Sequence, residues 1–402
     1  MEAVAGIDWA GEHHDLRISD PEGTRLCERR CAHDEQGIAQ LIALCRAHEV
    51  CRVAIEHPEG LLVDRLLEAG LVVLALHPNQ VAAARERFAT AGKSDRLDAF
   101  VLAELARTDA HRFRALVPDG DETRALRALT RAREDLVASR MGIANQLRAE
   151  LERSWPGALG LFADIDSPIA LAFLARYPSP GDALGLGPAR MAGFLSRHSY
   201  CGRTSAQALV ERLRAAPRAV IGPAEAEARR GIVLGLAGAL QGLVAQISAH
   251  TSEIAGAVRA HADGPLFLSL FVDPKSTITA ATLLAEMGDV RERYPTREAL
   301  CADAGMSPVA IESGKRRTAV FRRACDHRLR AAVSVLADAT RHRHPWAHDV
   351  YARARARGAD HPHAIRILGR AWLRVIHQMW VSRTPYDPAR HGNLQRLLTA
   401  GG

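Results

Sequence analysis

The sequence predicts an α/β N-terminal domain, a helical, coiled-coil-like middle region and a mostly α-helical C-terminal domain. Strand-like segments recur through the first 77 residues, apolar stripes at helical spacing fill the middle, and helical patterns return in an arginine-rich final part. A chain of 402 residues is also too long for one ordinary core, so two or three domains are expected. The predicted divisions are residues 1–115, 116–262 and 263–390, followed by a tail at 391–402.

Residues 3 to 31 have the pattern of three short strands. The segment AVAGIDWA is apolar, HDLRISD alternates, and TRLCERRC alternates after a Pro-Glu-Gly turn. A helix over about 34–48, a strand CRVAIE, a helix over about 60–69, a strand LVVLALH and a helix from Pro78 follow. A three-stranded antiparallel opening before two strand–helix units is the ribonuclease H-like arrangement, whereas other α/β folds open with a βαβ unit.

The middle region carries two long apolar stripes. The first runs from about 121 to 153, and the second, from 223 on, repeats apolar residues at three-four spacing. The segment YPSPGDALGLGPARM between them is predicted to be a loop. The stripes suit packing within one chain or between chains, and a homodimer or homotetramer is expected.

The composition excludes several classes of protein. Hydrophobic residues make up 48% and charged residues 25%, which is typical of a globular protein. No apolar run is expected to reach the roughly 18 residues of a membrane span, and the N-terminus lacks the basic start of a secretory signal. Seven cysteines without a CxxC pair indicate reduced thiols rather than disulfides or a zinc ribbon. We therefore expect a cytoplasmic protein without membrane partners.

The segment GKSDRLDAF places Asp95 and Asp98 one helical turn apart, although like charges at that spacing repel. One interpretation is helix capping, with Ser94 as the N-cap and acids in the first turn. The other is a divalent-metal site, which needs carboxylates from elsewhere in the chain. Asp8 ends the first predicted strand and Glu56 ends the fourth, which lies beside it in this topology. Four converging carboxylates favour two Mg²⁺ ions, which would turn the repulsion into attraction.

Basic residues indicate a polyanionic partner. The net charge is +7 and the pI about 9.3, which permits nucleic-acid binding. Between Ile311 and Val333 the chain holds many cations against only Glu312 and Asp326, so either phosphate contacts or a solvated helix face is indicated. The candidate phosphate contacts are Lys93, Lys315, Arg316, Arg317, Arg322, Arg323, Arg328 and Arg330.

These motifs carry a family resemblance. GIDWA, VAIEHPEG, LHPNQV and KSDRLDA resemble the DEDD transposases of bacterial insertion sequences, and LLAEMGD, AGMSPV, ESGKRR and HRLRAAV resemble the second domain of that family. The resemblance implies a ribonuclease H-like catalytic domain related to Holliday-junction resolvases. It assigns Asp8, Glu56, Asp95 and Asp98 to the acidic tetrad, and it implies action on double-stranded DNA at the bacterial nucleoid.

The resemblance further implies a serine that links covalently to DNA and a non-coding guide RNA from the same element. Ser313 matches that serine best, and Ser307 is the alternative; a plain turn role for Ser313 also stays open. One departure is FVDPKSTITAA, where Asp273 to Ser276 replace the glycines that the family has. This puts phosphate binding by backbone amides there in doubt.

Two rival functions remain. A hydrolytic nuclease or Holliday-junction resolvase would use the tetrad without a serine. A decayed element could instead leave a protein that only binds nucleic acid. A covalent protein–DNA species separates the recombinase from the hydrolase, and Mg²⁺-dependent strand cleavage excludes the pure binder.

Overall fold

The protein is described by a computed structural model. It describes residues 2–88, 94–271, 276–313 and 316–400, without the side chains of Ser313, Arg316, Arg317 and Ala400. The chain divides into two compact units, Met1–Pro118 and Asp119–Gly402. The four-part division expected from the sequence stays a prediction.

The first unit is built on one five-stranded sheet. Its strands are β1 (Ala3–Trp9), β2 (His13–Ser19), β3 (Arg25–Ala32), β4 (Val50–Ile55) and β5 (Val73–Ala75). They lie in the order β3-β2-β1-β4-β5, in which β2 is antiparallel to both β1 and β3, and β4 and β5 run parallel to β1. This confirms the predicted ribonuclease H-like arrangement.

Helices cover the two faces of this sheet. They are α1 (Glu35–Ala47), α2 (Leu61–Glu68), α3 (Pro78–Phe88) and α4 (Asp95–Thr108). Ala3, Ala5 and Ile7 of β1 share a core with α1 and α2, whereas Val4 shares a core with α3 and α4. Because successive strand side chains point to opposite faces, the even-numbered residues of β1 face α4.

Two long helices, packed against each other, dominate the start of the second unit. They are α5 (Asp121–Ser154) and α9 (Pro223–Ala260), and between them lie α6 (Pro168–Arg176), α7 (Pro188–Arg197) and α8 (Ala206–Ala215). Both long helices agree with the predicted stripes. The loop predicted over 177–191 is wrong at its end, because Pro188 occupies the first turn of α7, where its missing N–H costs nothing.

The expectation of no span-like apolar run is also wrong. Helix α9 contains a window with a mean hydropathy of 1.7, long and apolar enough to cross a membrane by composition alone. Glycines, two glutamines and serines interrupt the apolar residues of this helix, so no unbroken apolar run marks it in the sequence. In the structure α9 packs along α5 and buries Val233, Leu240 and Ile254, while 22% of that apolar window is buried.

The rest of the second unit is helical apart from one hairpin. Its elements are α10 (Gly264–Leu268), α11 (Thr277–Met287), α12 (Arg297–Asp303), β6 (Val309–Ser313), β7 (Arg316–Val320), α13 (His327–Thr340), α14 (Pro345–Ala356), α15 (His361–Ser382) and α16 (Gly392–Ala400). Trp372 and Trp380 of α15 are fully buried in its core. The β6–β7 hairpin was not predicted, because basic residues obscure the alternation of its second strand.

Candidate active site

A close contact between β1 and α4 positions the candidate site. A Cβ atom at Gly6 would lie 2.1 Å from the Ala99 carbonyl oxygen and 2.3 Å from the Ala103 nitrogen. Only glycine therefore allows the helix backbone to approach the strand this closely. Asp8 lies two residues beyond Gly6 on the same face of the strand, toward the end of α4 that carries Asp95 and Asp98.

The register of the sheet places a second carboxylate beside Asp8. Ile7 of β1 pairs with Ile55 of the parallel strand β4. Glu56 follows Ile55 directly, and it continues the side-chain alternation that turns Ala54 toward α3 and α4. Asp8 and Glu56 therefore lie side by side at the carboxyl ends of adjacent strands, and both are half-buried.

The first turn of α4 supplies two more carboxylates. Ser94 is the N-cap, and its side chain accepts a hydrogen bond from the Leu97 backbone N–H, so the capping interpretation is confirmed. Asp98 is buried and Asp95 is half-exposed. Capping accounts for where the helix begins, but a buried aspartate in an apolar environment needs a further reason.

The pKa of Asp8 indicates that the other three predicted carboxylates lie close enough for their charges to act on it. The pKa of Asp8 is raised from 3.8 to about 6, first by burial and then by the charges of Asp98, Asp95, Glu56 and Asp15. Burial and like charges both disfavour the ionised form. A cation at this place would reverse both effects.

Two arginines offset part of the repulsion. Arg85 of α3 donates to Asp98 at 2.5 Å. Arg30 of β3 forms a two-pronged interaction with Asp15, at 2.7 and 3.2 Å, and lies 3.4 Å from Asp95. Charge-assisted pairs of this kind stabilise buried carboxylates. They lower the electrostatic cost of holding several carboxylates in one place.

Sequence reasoning missed His13 and Asp15 at this site. Asp15 of β2 pairs with Asp8 of β1, and His13 Nε2 lies 3.6 Å from Asp95 and 3.9 Å from Asp15. One ligand atom from each of His13, Asp15 and Asp95 falls within 4.8 Å of the others. The alternation of HDLRISD contained the signal, since it turns both residues toward the face that Asp8 occupies.

The candidate serine lies on the hairpin of the second unit. Ser313 ends β6 and pairs with Arg316 of β7. The side chains of Ser313, Arg316 and Arg317, all of Gly314 and Lys315, and Lys93 fall outside the described part of the chain. The alternative serine, Ser307, is half-buried, and its carbonyl oxygen accepts a hydrogen bond from Arg322 at 3.3 Å.

The remaining predicted phosphate contacts have unequal surroundings. Arg323 is exposed and Arg322 half-buried. Arg328 instead binds Glu134 at 2.8 Å and Asp135 at 3.1 Å. Arg330 donates to the Arg322 carbonyl oxygen at 2.6 Å. A phosphate would compete with two carboxylates for Arg328, so Arg322 and Arg323 are the better placed of the four.

Comparison with known proteins gives a consistent family. A model of the DEDD transposases named for IS110 matches residues 5–156, and a model described as the transposase IS116/IS110/IS902 family matches residues 275–352. The mini-circle putative transposase for IS117 of Streptomyces coelicolor is 34% identical over 404 residues, which cover 97% of this chain and 96% of that protein.

Two further matches cover less of the chain. The putative transposase y4uE of Sinorhizobium fredii is 35% identical over 234 residues, or 56% of this chain and 62% of that protein. Among solved structures, T. thermophilus RuvC in complex with a Holliday junction substrate matches with 20% identity and a TM-score of 0.24. That match covers 29% of this chain and 100% of the RuvC chain.

Proposed function

This chain belongs to the IS116/IS110/IS902 family of transposases, and we propose that it cuts and rejoins double-stranded DNA with Mg²⁺ held by Asp8, Glu56, Asp95 and Asp98. The observation that carries the proposal is the strand register that sets Asp8 beside Asp15 and Glu56. The pKa of Asp8 is accordingly raised, first by burial and then by the charges of Asp98, Asp95, Glu56 and Asp15. Burial and neighbouring carboxylates are the largest causes of that shift, so a cation beside Asp8 would favour its ionised form.

The donor set fits magnesium. Carboxylate oxygens are the ligands that Mg²⁺ prefers, and it binds through few protein carboxylates together with water and phosphate oxygens. When bound, two ions would activate the attacking oxygen and stabilise the leaving oxygen at a phosphodiester. Within the protein, Asp8 and Glu56 are fixed by the rigid sheet, and Arg30 and Arg85 hold Asp95 and Asp98 in place.

We assign the nucleophile to Ser313 on the family resemblance, with Ser307 as the alternative. The serine oxygen would form a bond to the DNA phosphorus while the bond from phosphorus to its leaving DNA oxygen breaks and that oxygen takes up a proton. The phosphoserine link conserves the energy of the broken bond, so joining to a new end needs no external energy source. Water would not conserve it.

Three finer points complete the proposal: the guide RNA rests on the family resemblance, the oligomer on the apolar stripes of the middle region, and the cytoplasmic location on the composition. The protein uses an element-encoded non-coding RNA as guide, works as a homodimer or homotetramer, and acts in the cytoplasm on nucleoid DNA. Base pairing by a guide would read the target sequence while the protein contacts the nucleic-acid backbone. The surplus of arginines over lysines is consistent with backbone contacts, because the guanidinium group binds phosphate in two-pronged geometry.

The test uses purified protein, RNA transcribed from the sequences flanking its gene, and plasmid DNA that carries the same sequences. Mg²⁺-dependent strand cleavage together with an SDS-resistant protein–DNA species is expected. Cleavage without that species would assign a hydrolytic nuclease or resolvase, and binding without cleavage would assign a protein that only binds nucleic acid. Asp8→Asn is the control, and it should abolish cleavage while it leaves DNA binding in place.

A further inference from the structure

A groove lined by arginines lies within the second unit, between the 305–308 segment, the end of β7 and α15. Its volume is about 530 Å³. Four arginines and His363 are among its lining residues, and no aspartate or glutamate is among the described ones. Arg322, Arg366, Arg370 and Arg374 are the four arginines. A concave surface lined by charges of one sign concentrates their electric field and raises the local concentration of ions of the opposite sign.

Three of these arginines form a straight row on α15. Arg366, Arg370 and Arg374 are spaced four residues apart, so they lie on one face of the helix and span roughly 12 Å along its axis. The opposite face is buried, with Leu368, Trp372 and others in the core. The row is thus fixed by a rigid helix and points away from the core.

Helix α15 forms one wall of the groove because it packs closely against its neighbours. A Cβ atom at Gly369 would lie 3.0 Å from the Met306 sulfur and 3.0 Å from a Val333 methyl carbon. Because residue 369 is glycine, α15 packs closely against Met306. The arginine row therefore lies next to Ser307, the residue that follows Met306. The Ser307 carbonyl oxygen in turn orients Arg322 from the other side of the groove.

The groove has the features of a built anion site. The Arg366 guanidinium lies 4.9 Å from the centre of the Phe321 ring, and the Arg330 guanidinium lies 4.6 Å from the same point. Stacking on a ring face orders a guanidinium while its in-plane N–H groups stay available to an anion. The Nε of Arg370 is buried and has no hydrogen-bond partner in the described chain. Glu298, outside the groove, comes within 4.0 Å of Arg374.

We propose that this groove binds the sugar–phosphate backbone of one nucleic-acid strand, with successive phosphates on Arg366, Arg370 and Arg374. A row of cations suits a repeating anion better than a single small one, because a small anion would satisfy one or two arginines and leave the rest. Backbone contacts position a strand without reading its sequence. The proposal does not depend on metal chemistry at the tetrad.

The test measures binding by fluorescence anisotropy as a function of salt, in metal-free buffer. The probes are a single-stranded DNA, an RNA of the same sequence and the corresponding duplex DNA. The triple variant Arg366→Gln/Arg370→Gln/Arg374→Gln should reduce the slope of log affinity against log salt by about two for a single strand, since each phosphate contact contributes roughly 0.7. Each reduction is divided by the value of one contact, roughly 0.9 for duplex DNA and roughly 0.7 for a single strand, and the probe that loses the most contacts identifies the bound strand.

A matched triple variant is the control. Arg214, Arg218 and Arg357 are exposed and lie outside the groove, so Arg214→Gln/Arg218→Gln/Arg357→Gln removes the same charge elsewhere. Equal slopes for the two triple variants with all three probes would overturn the proposal. Arg374→Gln alone changes one exposed side chain, so it keeps the fold, and it should reduce the slope by about 0.7. An unchanged slope in that variant would overturn the proposal as well.

Discussion

Gly6 of β1 lies against Ala99 of α4 so closely that a Cβ atom at Gly6 would stand 2.1 Å from the Ala99 carbonyl oxygen. This contact sets the distance between Asp8, two residues along the strand, and Asp95, one turn before Ala99 on the helix. The acidic cluster therefore depends on a residue that has no side chain and takes no part in its chemistry.

Gly6→Ala should destabilise the first unit and separate the carboxylates. The added methyl group has only backbone atoms of α4 in front of it, and these cannot turn aside as a flexible side chain can. We expect a loss of roughly 2–4 kcal/mol in the free energy of unfolding, the range of overpacked cores and above, together with weaker Mg²⁺ binding by calorimetry. Gly11→Ala is the control, because a Cβ atom there meets nothing within 4 Å. Equal stabilities of the two variants would contradict the tight contact.

Asp8→Asn should make the metal-free protein more stable at neutral pH. The pKa of Asp8 is raised to about 6 in the fold, so between about pH 4 and 6 the folded chain keeps a proton that the unfolded chain has lost. Stability therefore falls as the pH rises through this window. The variant should lack this fall and gain roughly 1 kcal/mol at pH 7, less than the full shift implies because the group is partly solvated.

Added Mg²⁺ should reverse that order. Wild-type protein gains thermal stability by binding the ion in the folded state only, whereas Asp8→Asn lacks one ligand charge and gains less. Thermal unfolding at pH 5 and pH 7, with and without Mg²⁺, measures both effects. Glu12→Gln removes an exposed carboxylate and serves as the control. A metal-free Asp8→Asn protein that melts below wild type at pH 7 would show that Asp8 is not repelled by its neighbours.

Arg328→Ala and the double variant Arg322→Ala/Arg323→Ala should behave differently. Arg328 binds Glu134 and Asp135, so its loss should cost roughly 0.5–1 kcal/mol of stability and leave the salt dependence of duplex binding unchanged. The double variant should reduce that slope by about two, because each phosphate contact on duplex DNA contributes roughly 0.9. If Arg328→Ala also reduces the slope, a phosphate displaces the two carboxylates in the complex.

Ser313→Ala should remove both recombination and the covalent protein–DNA species, while Mg²⁺ binding at the tetrad persists. The reason is that a phosphoserine link conserves the bond energy of the broken phosphodiester, whereas hydrolysis by water loses it. Denaturing gels of reactions with end-labelled DNA measure the adduct. Ser307→Ala, which keeps the same hydrogen bond from Arg322 to the backbone, is the control. The reverse result, in which only Ser307→Ala loses the adduct, would move the nucleophile to Ser307.

A shared active site predicts complementation. Proteins carrying Ser313→Ala and Asp8→Ala should each be inactive. Their mixture should recover activity only if one subunit supplies the serine and another the carboxylates. Recovery that rises with the fraction of mixed oligomers, measured after co-expression with two affinity tags, would establish sharing. Its absence, in oligomers shown to be mixed, would place both parts of each site on one chain.

The sequence determined the order of elements in the first unit and the helix turn and strand faces on which the predicted carboxylates lie. Alternation of period two decides which strand residues share a face, and a serine before two aspartates decides where α4 begins. Both are local properties, so they can be predicted from neighbouring residues. The same alternation places His13 and Asp15 on one face of β2. Only the pairing of β2 with β1 shows that this face is the one that carries Asp8.

The tertiary structure decided which surfaces meet. Arg30 reaches Asp95 across 65 positions of the chain, and Gly369 brings the arginine row of α15 to Ser307 and Arg322. Nothing local in those segments predicts either approach, because a close contact depends on the shape of both partners and on the packing that surrounds them. Local periodicity thus fixes where a side chain points, and non-local packing fixes what it meets.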